Sequence, residues 1–257
     1  MKKSLFVLLA LTTLFCISCQ NDVEVGNGEQ LAFSTIGEKH NAILENYYNL
    51  NSTTRNCTYN NFNNYFNIDD KSVFIYLDVS RSIENGSLVS ELDSKGYLEN
   101  SAKNYIYAVE EILNNPNSSL ESTQLAIVDI EEKASKELND SDLIQFYSYS
   151  STAKASLSFW NENIEILSDD SEEITRGIVS WWNKYKHKIA MSAASDAAGA
   201  AAGALVGATL GSSIPGIGSA TGAIIGATIA GAASSIEGFK TGKLCIVIPY
   251  SKIENEM

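Results

Sequence analysis

Between Asp196 and Glu237 the chain carries no charged residue, and glycine returns at four-residue intervals on either side of Pro215. Such a stretch can serve as a membrane hairpin, a packed core element or a flexible linker. A linker has no need of periodic apolar residues, yet Leu205, Val206, Ile224, Ile225 and Ile229 recur at regular intervals here. In water each interior glycine of a helix costs about 1 kcal/mol relative to alanine, so four in one arm cost on the order of 4 kcal/mol unless close packing offsets it. Pro215-Gly216 divides the stretch into two arms of about twenty residues, and each arm rises roughly 30 Å as a helix, close to a bilayer's hydrocarbon thickness. Gly199, Gly203, Gly207 and Gly211 form one small-residue stripe; Gly218, Gly222 and Gly226, continued by Ala230 and Ser234, form a second. Facing stripes of this kind let two helix backbones approach closely. The expectation is a paired-helix hairpin with both ends on one side. Leu205, Val206 and Leu210, the large apolar residues of the first arm, contribute only about −1 to −2 kcal/mol on the insertion scale. Insertion is therefore expected to be conditional, with lipid, the rest of the chain or further copies of it supplying the contacts.

The hairpin is preceded by Asp169, Asp170, Glu172 and Glu173, which suit the positive end of a helix dipole. Ile174, Ile178, Val179, Trp181, Trp182, Tyr185 and Ile189 follow with helical spacing, and Lys184, Lys186 and Lys188 lie off that stripe. Trp181, Trp182, Lys184, Tyr185, Lys186 and Lys188 read as a membrane-interface anchor or, equally, as a helix docked on the protein with its lysines in water. Earlier, Ile36, His40, Ile43, Leu44, Tyr47 and Tyr48 form an apolar face after a cap at Ser34 or Thr35. Helices are expected over Leu88 to Leu113, Leu120 to Leu138 and Asp142 to Leu167. The predicted fold is mainly α: a helical bundle followed by an Ala/Gly-rich helical hairpin. The organisation along the chain is 1–18 signal peptide, 19–34 flexible tether, 35–168 helical domain, 169–190 amphipathic helix, 191–238 hairpin and 239–257 strand-like tail.

At the N-terminus Lys2 and Lys3 precede the apolar run Leu5 to Phe15, about the length of a signal-peptide core and too short for a mature span. The sequence Cys16-Ile17-Ser18-Cys19 resembles a bacterial lipobox, which implies lipid attachment at Cys19. In that family the residues after the cysteine direct sorting, and Gln20-Asn21 implies the outer membrane; Asp22 and Glu24 resemble export signals of surface-exposed lipoproteins. Removing residues 1–18 takes away Lys2 and Lys3 and moves the formal charge from −13 to −15. So acidic a chain is a poor nucleic-acid binder, because phosphate contacts need clustered Lys and Arg. Cys57 and Cys245 then remain, either paired in an oxidising envelope or as separate thiols. The stretches Gly37-Glu38-Lys39-His40-Asn41 and Ala155-Ser156-Leu157-Ser158-Phe159-Trp160, with the glycine-rich segment, resemble uncharacterised bacterial envelope lipoproteins with a C-terminal glycine zipper. The resemblance implies architecture and location but no activity.

Chemistry-bearing motifs are few. Asp78, Ser80 and Ser82 after the apolar run Val73 to Leu77 resemble the metal-dependent adhesion site of von Willebrand factor A domains, with Thr152 and Asp169 as the later ligands. That fold needs a central sheet, and residues 72–168 offer too few strand-like runs for one; Asp78, Ser80 and Ser82 equally suit a solvated turn. The only histidines are His40, on a helix face, and His187, in a lysine run. Neither completes a zinc motif, a nucleophile elbow or a phosphate loop. The expectation is a non-enzymatic, lipid-anchored envelope protein without cofactor, metal or catalytic residues, whose partners are a lipid membrane or its own copies through the hairpin. Similar Gly/Ala hairpins occur in two-peptide bacteriocins and in membrane-entry segments of secreted toxins, which makes a pore-forming antibacterial effector the first alternative. A metal-dependent adhesin built on Asp78 is the second.

Overall fold

The computed structural model describes residues 28–51, 73–77, 87–115, 117–163, 178–213, 218–241 and 244–248. The chain divides at Leu31 into two compact units; only residues 28–31 of the first are described, and the contacts that follow belong to the second, Ala32–Met257. The fold is mainly α. Its elements are α1 (Gly28–Asn51), β1 (Val73–Leu77), α2 (Leu88–Ser94), α3 (Lys103–Leu113), α4 (Leu120–Glu137), α5 (Asp140–Glu162), α6 (Ile178–Ser213), α7 (Gly218–Thr241) and β2 (Leu244–Ile248).

Helix boundaries follow local chemistry. Ser87 accepts the Ser90 N–H to start α2, Ser119 and Ser122 cap each other's backbone to start α4, and Asn139 accepts the Asp142 N–H to start α5. The single helix expected over Leu88 to Leu113 is in fact two. Gly96 takes φ 76°, its N–H reaches the Asp93 carbonyl at 3.0 Å, and the Tyr97 N–H reaches the Leu92 carbonyl at 2.9 Å. This is the Schellman termination that a left-handed glycine permits, so the apolar stripe continues only after a break. At the other end of the chain's described part, α1 begins at Gly28, inside the stretch expected to be tether, rather than at Thr35. The amphipathic segment and the first hairpin arm are one uninterrupted helix, α6, of 36 residues, roughly 54 Å long.

The central helix is α5. Fourteen of its residues are buried, among them Phe146, Tyr149, Ala153, Leu157 and Trp160 but also Gln145, Ser148, Ser150, Ser151, Thr152 and Ser156. Burial on all sides explains why its sequence shows no clean amphipathic stripe. Helix α1 docks on it through an aromatic cluster: Tyr48 stacks on Phe159 with centroids 6.4 Å apart and meets Trp160 edge-on at 6.1 Å. Gly37 makes that approach possible, since a Cβ there would lie 2.7 Å from the Ala155 Cβ.

Helices α6 and α7 form the expected antiparallel hairpin and supply the other half of the core. A Cβ on Gly199 would lie 2.7 Å from the Ser234 Cβ, one on Gly203 2.6 Å from the Ala230 Cβ, and one on Gly211 2.5 Å from the Gly218 carbonyl oxygen. Gly207 and Gly222 crowd each other's backbone, as do Gly203 and Gly226. Gly218 differs from the others: its own Cβ position is open, and φ of 76° at the start of α7 is its reason for being glycine. After α7, β2 pairs antiparallel with β1, with Val73 opposite Ile248 and Leu77 opposite Leu244.

Two measurable consequences follow from this packing. Gly203→Ala gains about 1 kcal/mol of helix propensity but overpacks the seam at a cost of typically 1–3 kcal/mol, so its thermal midpoint should fall, whereas alanine at exposed Ser212 should leave it unchanged. Buried Glu110 accepts the Val89 N–H at 3.1 Å. Burial pushes its carboxyl pKa up, and bonds from Ser87, Val89 and Leu88 offset only part of the rise. Its contribution to stability is then fully present below the ordinary glutamate pKa and is lost as pH rises through the raised folded value. Denaturation at a series of pH values should show this loss removed in Glu110→Gln.

Candidate functional site

Where α1, α5, α6 and α7 meet, four side chains converge on a single carboxylate. Asp196 of α6 is completely buried, as are His40 of α1 and Ser156 and Trp160 of α5, while Ser235 of α7 is 4% exposed. The Ser156 hydroxyl and the Trp160 Nε1–H, the latter at 2.9 Å, both donate to Asp196 Oδ2. His40 Nε2 stands 3.6 Å from the same oxygen and 3.4 Å from Ser235 Oγ. Asp196 Oδ1 has no hydrogen-bond partner among the described residues. Gly231 leaves room for the ring, since a Cβ there would lie 3.2 Å from His40 Cδ2.

The tautomer of His40 follows from its neighbour. Asn41 Nδ2 donates to the Ala155 carbonyl at 2.9 Å, which turns Asn41 Oδ1 toward His40 Nδ1, also at 2.9 Å. An amide oxygen only accepts, so Nδ1 carries the hydrogen and Nε2 is the basic nitrogen facing Asp196.

One face of α5 lines α6 throughout. Gln145, Tyr149, Thr152, Ser156 and Trp160 recur at spacings of three and four and so share that face. Gln145 Nε2 donates to the carbonyls of Tyr97 at 2.7 Å and Ala201 at 3.2 Å, and its Oε1 accepts the Glu99 N–H at 2.7 Å. Tyr149 OH and Thr152 Oγ1 are buried without a partner among the described residues. Against this hydroxyl-bearing face α6 presents the small residues Ala193, Ala197, Ala200, Ala201 and Ala204, all fully buried. Burying alanine and serine removes little apolar area from water per residue, and each unsatisfied polar atom costs about 1–3 kcal/mol. The seam between bundle and hairpin thus gains little apolar burial per residue and carries unpaired hydroxyls among the described residues.

Burial along the hairpin is uneven. From Gly226 to Ile236 every residue is buried, and so is nearly every residue from Ala193 to Ala204. Toward the turn, Leu205, Val206, Leu210, Ala220, Ile224 and Ile225 are half-buried, and Thr209, Ser212, Ser213, Ser219 and Thr221 are exposed. This outer half bears no charge. By length and composition Lys184–Ser213, with mean hydropathy 1.4, and Gly218–Ile236, with 1.3, could each cross a membrane, although a buried core helix has the same properties.

The residues singled out from sequence fall as follows. Gly199, Gly203, Gly207, Gly211, Gly222 and Gly226 lie in the hairpin seam, and Gly218 opens α7. Trp182 is turned to the protein, its Nε1–H donating to the Ser118 carbonyl at 3.0 Å, as a docked helix requires and a free interfacial ring does not. Lys184 is exposed, with its amine 5.0 Å from the Tyr185 ring centroid; Lys188 is exposed and Lys186 half-buried. Cys19, Cys57, Asp78, Ser80, Ser82, Asp169 and the side chain of Trp181 lie outside the described residues. Thr152 sits in the middle of α5, fully buried, rather than on a ligand-bearing loop. Among the described residues no three of His, Cys, Asp and Glu are grouped as a metal site. A cavity of about 70 Å³ between Trp182, His187, Leu157 and Thr123 has room for roughly two waters.

Sequence reading assigned His40 to a helix face and Asp196 to the edge of the uncharged stretch; it did not bring them together. A signal existed, because Asp196 is the single charge between Ile189 and Ile236. The stretches Gly37 to Asn41 and Ala155 to Trp160 supply every partner of that carboxylate but Ser235. No family model, curated protein or solved structure matches the chain. Ser156→Ala, which removes one hydrogen bond to a buried carboxylate, should destabilise the fold by about 1.5–3 kcal/mol in urea denaturation.

Proposed function

We propose that this is a non-enzymatic, lipid-anchored envelope protein whose glycine-zipper hairpin is held in a helical sheath and enters a membrane when the sheath lets go. The observation that carries the reading is the asymmetry of the hairpin. Its two helices hold each other by backbone approach, which lipid leaves intact, while the outer half is uncharged, with half-buried aliphatic side chains among exposed serine and threonine. The weak, hydroxyl-rich seam with α5 supports separation of sheath and hairpin along that line. Cys19 is the proposed lipid attachment, at the outer membrane, and it would hold the hairpin near a bilayer at high local concentration. A pore-forming effector that acts on another cell's membrane shares this geometry, and the sheathed inner half favours it to the extent that such a protein must first travel through water.

The test uses Ile225 in the outer half of the hairpin, which is only partly buried against the core. The purified mature chain should associate with anionic vesicles, and Ile225→Asp should abolish that association while the chain still melts cooperatively, because one central aspartate adds about 2.5–3.5 kcal/mol on the insertion scale and exceeds the gain of an arm. Dye release distinguishes the two readings: an effector empties the vesicles, and an envelope protein binds them without leakage. Failure of the parent protein to associate with vesicles at any lipid composition would sink both.

A further inference from the structure

Resting on that membrane reading, we infer that the His40–Asp196 pair is the fastener between hairpin and sheath, and that it holds only while the pair as a whole is electrically neutral. Three observations lead there. The pair joins the hairpin to α1 and, through Ser156 and Trp160, to α5, so the hairpin cannot leave without breaking it. It is fully buried. Other buried carboxylates hold together elements outside the hairpin: Glu110 accepts from Val89, Glu131 pairs with Lys154 at 2.5 Å, and Asp142 accepts from Ser101 and Asn139.

Among the described residues, the groups facing Asp196 are few. From α1 comes His40, and its charged neighbours Glu38 and Lys39 point to solvent; from α5 come Ser156 and Trp160; from α7 comes Ser235. On α6 itself the nearest charged side chains, Lys188 and Lys186, lie back toward the start of the helix, and Lys188 is exposed. The charge of the site is therefore set by the protons that Nε2 and the carboxylate share. One proton leaves it neutral, whichever atom carries it. A second proton makes it positive, and none makes it negative. A net charge without a counter-charge in a dry site is strongly unfavourable, and withdrawal of the hairpin returns Asp196 to water. The first residue past this carboxylate begins the uncharged segment, so release frees the portion that lipid accepts.

The experiment compares the parent chain with His40→Gln, Asp196→Asn and the double variant from about pH 3 to about pH 9, which brackets ordinary histidine and carboxylate titration. Thermal melting without lipid and flotation with anionic vesicles are both recorded. His40→Gln leaves the carboxylate unpaired and should melt about 10 °C below the parent near neutrality, recovering on acidification. Asp196→Asn retains an acceptor for Ser156 and Trp160; it should melt like the parent near neutrality and fall only at acid pH, where an imidazolium has no counter-charge. The double variant should be flat. Vesicle capture should rise wherever melting falls. If His40→Gln does not fold, the contrast between Asp196→Asn and the double variant decides. Parent-like pH profiles in both would overturn the fastener, and so would equal vesicle capture by all four proteins at every pH, which leaves the membrane reading standing. Crossed melting profiles with no capture of any protein would keep the fastener and overturn the membrane reading.

Discussion

Everything in this fold is arranged around the contact of one glycine backbone with another. At Gly203–Gly226 and Gly207–Gly222 a carbonyl of one helix occupies the space a side chain would need on the other. Two helices brought so close expose almost no inner surface, and where they meet α5 their outer faces carry alanine. A helix packed against them meets short side chains, and it can bring polar groups as well as large rings to that surface. Helix α5, which packs against them with fourteen buried residues, is rich in serine, threonine and tyrosine.

Much of this was legible in the sequence. A four-residue glycine period broken at Pro215 specifies an antiparallel pair almost completely, because a helix that loses on the order of 4 kcal/mol in propensity has few other ways to exist. The apolar stripes of α3, α4 and α1 were equally plain. The break at Gly96 was missed because a spacing of apolar residues continues across it, and only the left-handed glycine marks the stop. The continuity of α6 was missed for a related reason: its first turns are aromatic and basic and its later turns are Ala/Gly, so composition changes where the helix does not.

The polar centre was not legible. Its members come from four helices and carry no fixed spacing along the chain, and hydrophobic pattern assigns His40 to a core face without saying what it meets there. Burial turned an unremarkable histidine into the one ionisable neighbour, among the described residues, of Asp196 in the hairpin's buried half. The aromatic and lysine residues of early α6 show the converse. Their composition suits a lipid interface, yet Trp182 spends its hydrogen bond on Ser118, so composition alone could not separate docking from anchoring.

The ribbon of β1 and β2 places a topological condition on the hairpin. Strand β2 follows α7 almost directly and is knitted to residues 73–77, well upstream in the chain, while at its other end α6 runs on without interruption to its Trp182 contact. The hairpin is therefore a loop leashed at both feet. A hairpin so tethered would swing about its base more readily than slide out lengthwise, its far end travelling farthest.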